Sequence, residues 1–361
     1  MEITHKLKVI LLLTPITLLT FFVIFIYFYR KRRLENHQQQ KDIEKTEDGK
    51  PEDEIQGEDL ITFQGGEELT IFDILDAPGE VIGKSSYGTL YKAFLQQSNS
   101  VRLLRFLRPV CATKADEFEE AIRFLGCVRH PNLVPLLGFY SGPRGEKLLI
   151  HPFYRHGNLA QFIRDSNGQS HKWETIYKVS VGIAKGLDHL HSGLQKPMIH
   201  GNLSSKNILL DRPGQPYISD FGLHLLLNPT VGQEMLEALA SQGYKAPELI
   251  KMKDGCEQTD IYSLGVILLE LLTGKEPINE NPTAPHEDFY LPNFMRNAVL
   301  GRRISDLFHP SILISSSDGE SPVTKERILK VFQLAMACCS PSPSLRPNSK
   351  QILRKLEEIG K

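Results

Sequence analysis

Four short motifs in this chain combine glycine, amide, acidic and basic side chains in a way that could serve chemistry on phosphate groups. They are Gly83-x-Ser85-x-x-Gly88, His200-Gly201-Asn202-Leu203-Ser204-Ser205-Lys206-Asn207, Asp220-Phe221-Gly222 and Ala246-Pro247-Glu248. A glycine turn lets backbone N–H groups approach a phosphate closely. Each motif is weak when it stands alone, and the glycine turn lacks a middle glycine. Their meaning depends on the elements that carry them and on their order.

The sequence around these motifs changes from strand-like to helical patterns. Residues 81–93 have the pattern of a strand, a glycine turn and a second strand, and further apolar strands are predicted at 101–107 and 148–153. Helices are predicted at 113–129, with Thr113 as its cap, and at 173–191, 260–272, 325–338 and 348–359. Strands followed by helices predict an α+β fold with a small β-rich lobe and a larger helical lobe.

In this order the motifs resemble those of a protein kinase domain. Asp220 follows Asn207 by thirteen residues, and two further motifs fall at the expected places, namely Asp260-Ile261-Tyr262-Ser263-Leu264-Gly265 and Arg346-Pro347. Two segments resemble the sequences of plant leucine-rich-repeat receptor-like kinases, namely His130-Pro131-Asn132-Leu133-Val134 and Asn207-Ile208-Leu209-Leu210. The resemblance covers residues 69–361 and implies a two-lobed kinase-like domain without the repeats.

By this resemblance, two residues that hold the phosphates of a nucleotide are replaced. Arg105 stands at the position of the strand lysine, and its planar fork is bulkier than an ammonium group. Ala121 stands at the position of the helix glutamate that pairs with this lysine, and alanine cannot pair with a cation. Glu119 and Glu120 are expected on a solvated face, unless a one-turn shift brings Glu120 inward. Alternatively, Arg105 only covers the lobe with its stem and keeps its head in water.

The resemblance also implies that groups acting directly in phosphoryl transfer are lost. Asn202 stands at the position of the aspartate that accepts the substrate proton. A neutral amide can orient a hydroxyl but cannot take its proton, and general-base assistance is worth roughly 10²–10⁴ in rate. Ser204 stands where a loop lysine contacts the transferring group, and Gly201 where an arginine pairs with a phosphorylated activation segment. Very slow transfer at best is expected.

The same resemblance implies that part of the nucleotide site remains. Asn207 and Asp220 correspond to the Mg²⁺ ligands, and the carbonyl of Pro152 and the N–H of Tyr154 correspond to the adenine contacts. Further nucleotide contacts are expected from Ile82, Gly83, Gly88, Leu90, Leu103, Arg105 and Leu209. Leu103 stands where the family has alanine, which narrows the pocket. ATP and Mg²⁺ are the cofactors that this set allows; alternatively, Asn207 and Asp220 only anchor their loops.

Further residues are expected to support the fold rather than the chemistry. Glu248 and Arg346 should form an ion pair in the helical lobe. Asp260 should cap the helix that follows it and bind the loop at residues 200–207. His200 should pack against the segment that carries Asp220 rather than act as a catalyst.

Composition and charge exclude several classes of function. The net charge of −1 provides no global field that would recruit nucleic acid. The five cysteines are odd in number and lie in apolar or helical stretches, which favours reduced thiols in a cytosolic domain over a disulfide framework. No spacing resembles a zinc site.

Residues 9–29 form an uncharged, apolar stretch. At about 1.5 Å per residue, such a helix spans a hydrocarbon core of roughly 30 Å. It ends in two aromatic residues and a basic block at 30–33, which predicts a single-pass membrane helix with the long C-terminal part in the cytoplasm. The alternative is a cleaved signal peptide, but no small-residue cleavage site follows the stretch. Plasma-membrane localisation is expected.

The predicted organisation has four parts. A short N-terminus at 1–8 and the membrane helix at 9–29 precede a linker at 30–68, basic and then acidic, which is too polar to fold alone. The kinase-like domain occupies 69–361.

Three functions are compatible with these residues. The first is a membrane-anchored receptor-like pseudokinase that can bind a nucleotide and signals by binding other receptor-like kinases or cytoplasmic signalling proteins. The second is a weakly active protein Ser/Thr kinase that uses ATP and Mg²⁺ with Asn202 as an orienting group. The third is a scaffold that binds no nucleotide. Arg105, Ala121, Asn202 and Ser204 favour the first and third; Asp220 and Asn207 favour the first over the third.

Overall fold

The computed structural model describes residues 59–165, 169–212, 214–279, 289–301, 307–310, 312 and 322–361. The predicted membrane helix at 9–29 and most of the linker at 30–68 lie outside these residues. Among the residues described, none of the helices combines the length and the apolar character that a bilayer crossing requires.

The N-terminal lobe is built on a six-stranded antiparallel sheet with the strand order β1-β5-β6-β4-β3-β2. The strands are β1 (Asp59–Thr62), β2 (Gly79–Lys84), β3 (Gly88–Leu95), β4 (Ser100–Leu107), β5 (Gly138–Ser141) and β6 (Lys147–Pro152). Two helices accompany the sheet, α1 (Ile71–Leu75) and α2 (Ala115–Cys127). The glycine turn joins β2 to β3, as its sequence pattern predicts.

The sheet begins ten residues before the predicted domain boundary at residue 69. Strand β1 pairs with β5, with Leu60 opposite Tyr140. The turn after it needs a glycine, because a Cβ on Gly66 would lie 2.1 Å from the carbonyl oxygen of Leu137. The apolar run of β1 is short and follows an acidic segment, so the sequence pattern does not distinguish this strand from the linker.

The C-terminal lobe is mainly helical, with one two-stranded ribbon. Its described elements are α3 (Leu159–Arg164), α4 (Trp173–Asp188), β7 (Ile208–Arg212), β8 (Gln215–Ile218), α5 (Pro229–Ser241), α6 (Glu257–Thr273), α7 (Leu291–Leu300), α8 (Pro322–Cys338) and α9 (Ser349–Gly360). Helix α6 is mainly apolar and is buried along almost its whole length, which is typical of a helix in the centre of a domain. It packs against α8 and forms the centre of this lobe.

Two predicted helix caps are wrong. Helix α2 begins at Ala115 without a side-chain cap, and the Thr113 hydroxyl instead donates to the Glu117 carboxylate at 2.6 Å. Helix α6 begins at Glu257 after Cys256, so Asp260 lies within its first turn. The Asp260 carboxylate is therefore free to face the loop at 200–207 instead of capping the helix.

Candidate functional site

Strand β4 carries the cation at the centre of the site. Alternation along the strand turns Leu103, Arg105 and Leu107 to one face, and all three are buried. The Arg105 guanidinium donates a hydrogen bond to the Asp220 carboxylate, with 2.5 Å between Nη2 and Oδ1. Only 7% of the Arg105 side chain is exposed, so its head does not lie in water. The alternative in which Arg105 keeps a solvated head is therefore wrong.

Tyr87 lies against this ion pair from the glycine turn. Tyr87 is close enough to Arg105 and Asp220 to interact with their charges, and burial raises the pKa of its hydroxyl, which keeps it neutral. Burial acts to lower the pKa of Arg105, but the Asp220 carboxylate and Tyr87 outweigh it, so the pKa of Arg105 is raised. Arg105 is thus a permanent cation that neutralises Asp220.

Helix α2 supplies no carboxylate to Arg105. Ala121 is buried on the inner face of the helix. Glu119 forms an exposed ion pair with Arg123 on its own helix, and Glu120 lies 3.7 Å from Lys196 at the surface. The one-turn shift that would bring Glu120 inward does not occur. The partner of Arg105 comes from the Asp220 segment because the helix offers only a methyl group.

The loop at residues 200–207 is held in place by one buried carboxylate. Asp260 accepts hydrogen bonds from the backbone N–H groups of His200 at 2.7 Å and Gly201 at 3.0 Å, and its Oδ2 also bonds with His191 at 2.9 Å. Burial acts to raise the pKa of Asp260, but its bonds with His191 and the loop outweigh this and hold the pKa below its usual value. The predicted tie between Asp260 and the loop is confirmed.

Hydrogen bonds assign the protonation state of His200. Its Nδ1 accepts from the N–H of Asn202 at 3.1 Å, so Nε2 must carry the proton that it donates to the Ser219 carbonyl at 2.9 Å. Burial lowers the pKa of His200, which agrees with a neutral ring. His200 therefore joins the loop to the residue before Asp220 and supports the site without acting in it.

Asn207, Asn202 and Ser204 meet inside this loop. The Asn207 amide donates to the Asn202 carbonyl at 2.9 Å, and the Asn207 N–H donates to the Ser204 carbonyl at 3.0 Å. Ser204 is buried, whereas Lys206 is exposed. The position at which the resemblance implies a loop lysine is thus occupied by a buried, uncharged hydroxyl.

The residues expected to contact adenine lie on β3, β4, β7 and at the end of β6. Leu103 is buried, and Leu90 and Leu209 are half-buried. Pro152 ends β6, and the Tyr154 ring lies 4.5 Å from the Tyr217 ring. These contacts fix the segment whose backbone carbonyl and N–H would bind adenine.

The glycine turn forms the roof of the cleft. Gly88 must be a glycine, because a Cβ there would lie 2.3 Å from the Phe106 carbonyl oxygen. Gly83 lies against Leu90, and Ile82 is largely exposed. Tyr87, in the same turn, is half-buried and interacts with Arg105 and Asp220.

The arrangement around Asp220 does not suit a metal ion. Mg²⁺ requires oxygen ligands at about 2.0–2.1 Å in near-octahedral geometry. Oδ1 of Asp220 is already bound by a guanidinium, and a second cation at this point would be repelled by Arg105. The cavity beside the pair has a volume of about 30 Å³ and is lined in part by His151 and Phe221, which is room for about one water molecule. Mg²⁺ does not fit at Asp220 in this arrangement.

Comparison with known proteins supports the pattern of motifs. Residues 77–356 match the family of protein tyrosine and serine/threonine kinases. This chain belongs to that family. The kinase domain of maize sucrose-induced receptor kinase 1, solved with bound AMP-PNP, is 29% identical, has a TM-score of 0.70, and covers 84% of this chain and 100% of its own.

Some relatives of this kinase domain are described as inactive. The kinase-like protein TMKL1 of Arabidopsis thaliana is 37% identical over 92% of this chain and 49% of its own length. The pseudokinase domain of BIR2, an immune regulator, is 30% identical, with a TM-score of 0.63 over 78% of this chain and 80% of its own. Other Arabidopsis relatives are leucine-rich-repeat receptor-like kinases and inactive receptor kinases. The chain spans about half or less of the length of the curated relatives it matches.

The activation segment of this kinase domain contains a helix that the sequence patterns did not predict. Asn228 caps α5 by accepting from the Val231 N–H at 3.0 Å, and Pro229 is its first residue. Asn228 also donates to the carbonyls of Val110 and Cys111 in the N-terminal lobe. An Asn-Pro pair is a usual helix start, so this signal was present in the sequence.

The predicted brace of the C-terminal lobe is confirmed. Arg346 donates two hydrogen bonds to Glu248, at 2.6 and 2.7 Å. Arg346 also donates to three backbone carbonyls, and its side chain has no exposed surface. Paired and fully hydrogen-bonded in this way, the buried guanidinium is stable.

A second buried carboxylate, Glu270 on α6, was not identified from the sequence. It accepts from the Tyr244 hydroxyl at 2.6 Å, from Arg164 at 2.9 Å and from Ser205 at 3.2 Å. Burial raises the pKa of Glu270 to about 7, although these donors oppose the shift. The group joins the loop at 200–207, the activation segment and α3, and an acidic residue in an apolar helix was its only sequence signal.

Replacement Glu270→Gln is expected to remove a pH dependence of stability. Between the ordinary pKa of 4.5 and the folded value of about 7, the folded state holds a proton that the unfolded state lacks. The free energy of unfolding of the parent protein should therefore fall as pH rises through this window. Urea unfolding at pH 5, 6 and 7 should show this fall in the parent and a flatter profile in the variant. Equal slopes in both proteins would contradict the assignment.

Proposed function

We propose that this chain is a receptor-like pseudokinase, a kinase-like signalling module that does not transfer phosphate at a useful rate. The observation that carries the proposal is the ion pair between Arg105 and Asp220. In a working site, the strand cation and the Asp220 carboxylate serve the nucleotide and its metal. Here the two groups neutralise each other, and 7% and 16% of their side chains remain exposed.

The loop residues support the same conclusion. Asn202 has no carboxylate with which to take a proton from a substrate hydroxyl. Ser204 is buried and carries no positive charge that could stabilise the transferring group. The missing proton acceptor, the missing loop cation and the binding of Asp220 by Arg105 together affect proton removal, charge stabilisation and metal binding.

Nucleotide binding is proposed to persist without a metal. The carbonyl of Pro152 and the N–H of Tyr154 are backbone groups, so changes of side chain do not remove them. Arg105 can also serve as the counter-charge for a phosphate, since a guanidinium binds phosphate oxygens well. ATP is therefore expected to bind weakly and to gain nothing from Mg²⁺.

The membrane anchor and the partners belong to the same proposal. The apolar stretch at 9–29 and the basic block after it support a single-pass plasma-membrane protein with a cytoplasmic kinase-like domain. A domain that is folded but catalytically silent can act only through contacts, so other receptor-like kinases or cytoplasmic signalling proteins are the expected partners.

The effect of ATP on the melting temperature tests this proposal. In EDTA, millimolar ATP should raise the melting temperature slightly, because a ligand stabilises the state that it binds. Addition of Mg²⁺ should give no further rise, and no labelled phosphate should reach a general protein substrate. AMP-PNP under the same conditions controls for hydrolysis.

Two other results would select the alternatives. A rise that requires Mg²⁺, together with transfer that Asp220→Ala abolishes, would identify a weakly active Ser/Thr kinase. No rise under any condition would identify a scaffold that binds no nucleotide.

A further inference from the structure

Helix α1 carries large apolar side chains on the side that faces away from the N-terminal sheet. Phe72 and Leu75 are 75% and 50% exposed, and because they lie three positions apart they share one face of the helix. Ile74 is buried, and it packs with Leu104 and Ile150 in a cluster on the sheet. The helix is therefore apolar toward the solvent as well as toward the sheet.

The exposed side of α1 is held rigidly in place. The Thr70 hydroxyl caps the helix by accepting from the Asp73 N–H at 3.1 Å. The buried Asp73 carboxylate accepts from the Gln97 N–H, also at 3.1 Å, and this bond ties α1 to the turn between β3 and β4. A surface that is fixed before binding loses little conformational freedom when a ligand binds to it.

The segment that carries α1 is strongly acidic. Residues 67–80 contain five acidic side chains and no lysine or arginine. Asp76 lies one turn after Phe72, and its N–H donates to the Phe72 carbonyl at 2.9 Å, so the exposed Asp76 side chain belongs to the same side of the helix. Within the described residues, Glu68 is paired with Arg102, whereas the Asp76 carboxylate has no cation within ion-pair distance. We call Phe72, Leu75 and Asp76 the α1 face.

The α1 face combines exposed apolar groups with negative charge, and this combination restricts its ligands. Neighbouring apolar side chains with this exposure favour a site of protein contact. Nucleic acids and anionic lipid surfaces are repelled by an acidic segment that has no basic side chains. A ligand with both apolar and basic side chains gains apolar contact and ion pairs together. An amphipathic helix that carries lysine or arginine beside its apolar stripe has this chemistry.

We propose that the α1 face binds a basic amphipathic helix of a partner protein. The apolar stripe of that helix would cover Phe72 and Leu75, and one of its lysine or arginine side chains would pair with Asp76. Leu104 and Arg105 alternate along β4, so α1 lies on the opposite side of the sheet from the nucleotide cleft. Binding here needs neither a nucleotide nor phosphoryl transfer. The inference rests on the proposed function in one respect, that the domain acts through contacts, and it adds the surface and the class of partner.

Fluorescence anisotropy with a labelled helical peptide tests the proposal. The probe is a fluorescein-labelled peptide of sequence LKKLLKLLKKLLKL, and the counter-probe is its acidic counterpart LEELLELLEELLEL. The basic peptide should bind, and its affinity should fall as salt is raised, because ion pairs at an open surface are screened. Phe72→Ser and Asp76→Lys should each raise the Kd about tenfold.

Each variant has a matched control elsewhere on the surface. Leu345 is 73% exposed, close to the value for Phe72, so Leu345→Ser controls for the loss of an exposed apolar side chain. Glu357 is exposed on α9, and Glu357→Lys controls for the change of charge. Both controls should leave the Kd unchanged. All four variants should keep the melting temperature of the parent protein, because the replaced side chains lie at the surface.

Several results would overturn the proposal. Equal binding of the two peptides would do so, as would equal Kd values for the Phe72→Ser and Leu345→Ser variants. Binding of the parent protein to phosphatidylserine vesicles that Phe72→Ser abolishes would overturn it by assigning the α1 face to a lipid surface. A dimer of the parent protein that Phe72→Ser dissociates would overturn it by assigning the face to a second copy of the chain. Arg105→Lys, which alters the nucleotide cleft, should leave peptide binding unchanged, so a failure of this proposal is distinguishable from a failure of the proposed function.

Discussion

The triple variant Arg105→Lys, Ala121→Glu and Asn202→Asp is expected to transfer phosphate at least about 100-fold faster than the parent chain. Aspartate at position 202 restores a proton acceptor, which is worth roughly 10²–10⁴ in rate. Glutamate at position 121 gives the new lysine a partner on α2, and this frees Asp220 for a metal ion. Transfer of labelled phosphate to a general substrate measures the gain.

Two controls define what the gain means. Asn202→Asp alone should recover much less than the triple variant, because Arg105 still holds Asp220 in the single variant. Asp220→Ala added to the triple variant should abolish transfer, because the substitution removes the carboxylate that would bind the metal ion in the triple variant. If the triple variant folds but transfers no phosphate, the ion pair between Arg105 and Asp220 is not the main cause of inactivity. Addition of Leu103→Ala would then show whether the narrowed nucleotide pocket is responsible.

Arg346→Ala is expected to lower the free energy of unfolding by about 3 kcal/mol. The substitution leaves the Glu248 carboxylate without its cation and three backbone carbonyls without their donor. Glu248 is 28% exposed and can be partly hydrated after the change, so most of the cost comes from the three carbonyls that lose their donor and from the space left by the buried arginine. Thermal unfolding should show a fall of several degrees in the melting temperature.

The exposed pair between Arg354 and Glu358 provides the control. Its arginine side chain is 82% exposed, so Arg354→Ala should change the melting temperature little. Similar losses for Arg346→Ala and Arg354→Ala would show that the Glu248 pair does not brace the lobe.

The sequence predicted the two-lobed fold, because strand and helix periodicities occur in separate halves of the chain and the motif order fixed their roles. It also predicted the pair between Glu248 and Arg346 and the tie from Asp260 to the loop. Each of these depends on a motif with a fixed place in the fold, so residue type and order are enough to identify it.

The sequence could not predict where the head of Arg105 lies. A long side chain on a strand can reach water or a distant carboxylate, and spacing along one strand does not decide between them. The guanidinium is held by Asp220, which lies 115 positions later and is brought close only by the tertiary fold. The buried network at Glu270 escaped prediction for the same reason, since Arg164 and Tyr244 come from separate elements.

The helix caps predicted at Thr113 and Asp260 were wrong because each side chain binds another group in the folded chain. The Thr113 hydroxyl donates to the Glu117 carboxylate, and the helix begins two residues later at Ala115, so Thr113 lies one residue before the cap position. Asp260 is drawn away by the backbone N–H groups of another segment. Helix α5 was missed although its Asn-Pro start is a usual signal, because activation segments are expected to be loops.

The position of α5 has a consequence for motion between the lobes. Two backbone hydrogen bonds, from the Thr113 N–H to the Leu226 carbonyl and from the Asn228 N–H to the Cys111 carbonyl, form one antiparallel bridge between the segment before α5 and the linker between β4 and α2. Opening of the cleft that moves this linker would have to break both bonds, so we expect hinge bending to be coupled to release of the activation segment. A partner that captures this segment would thereby set the aperture of the nucleotide cleft from outside it.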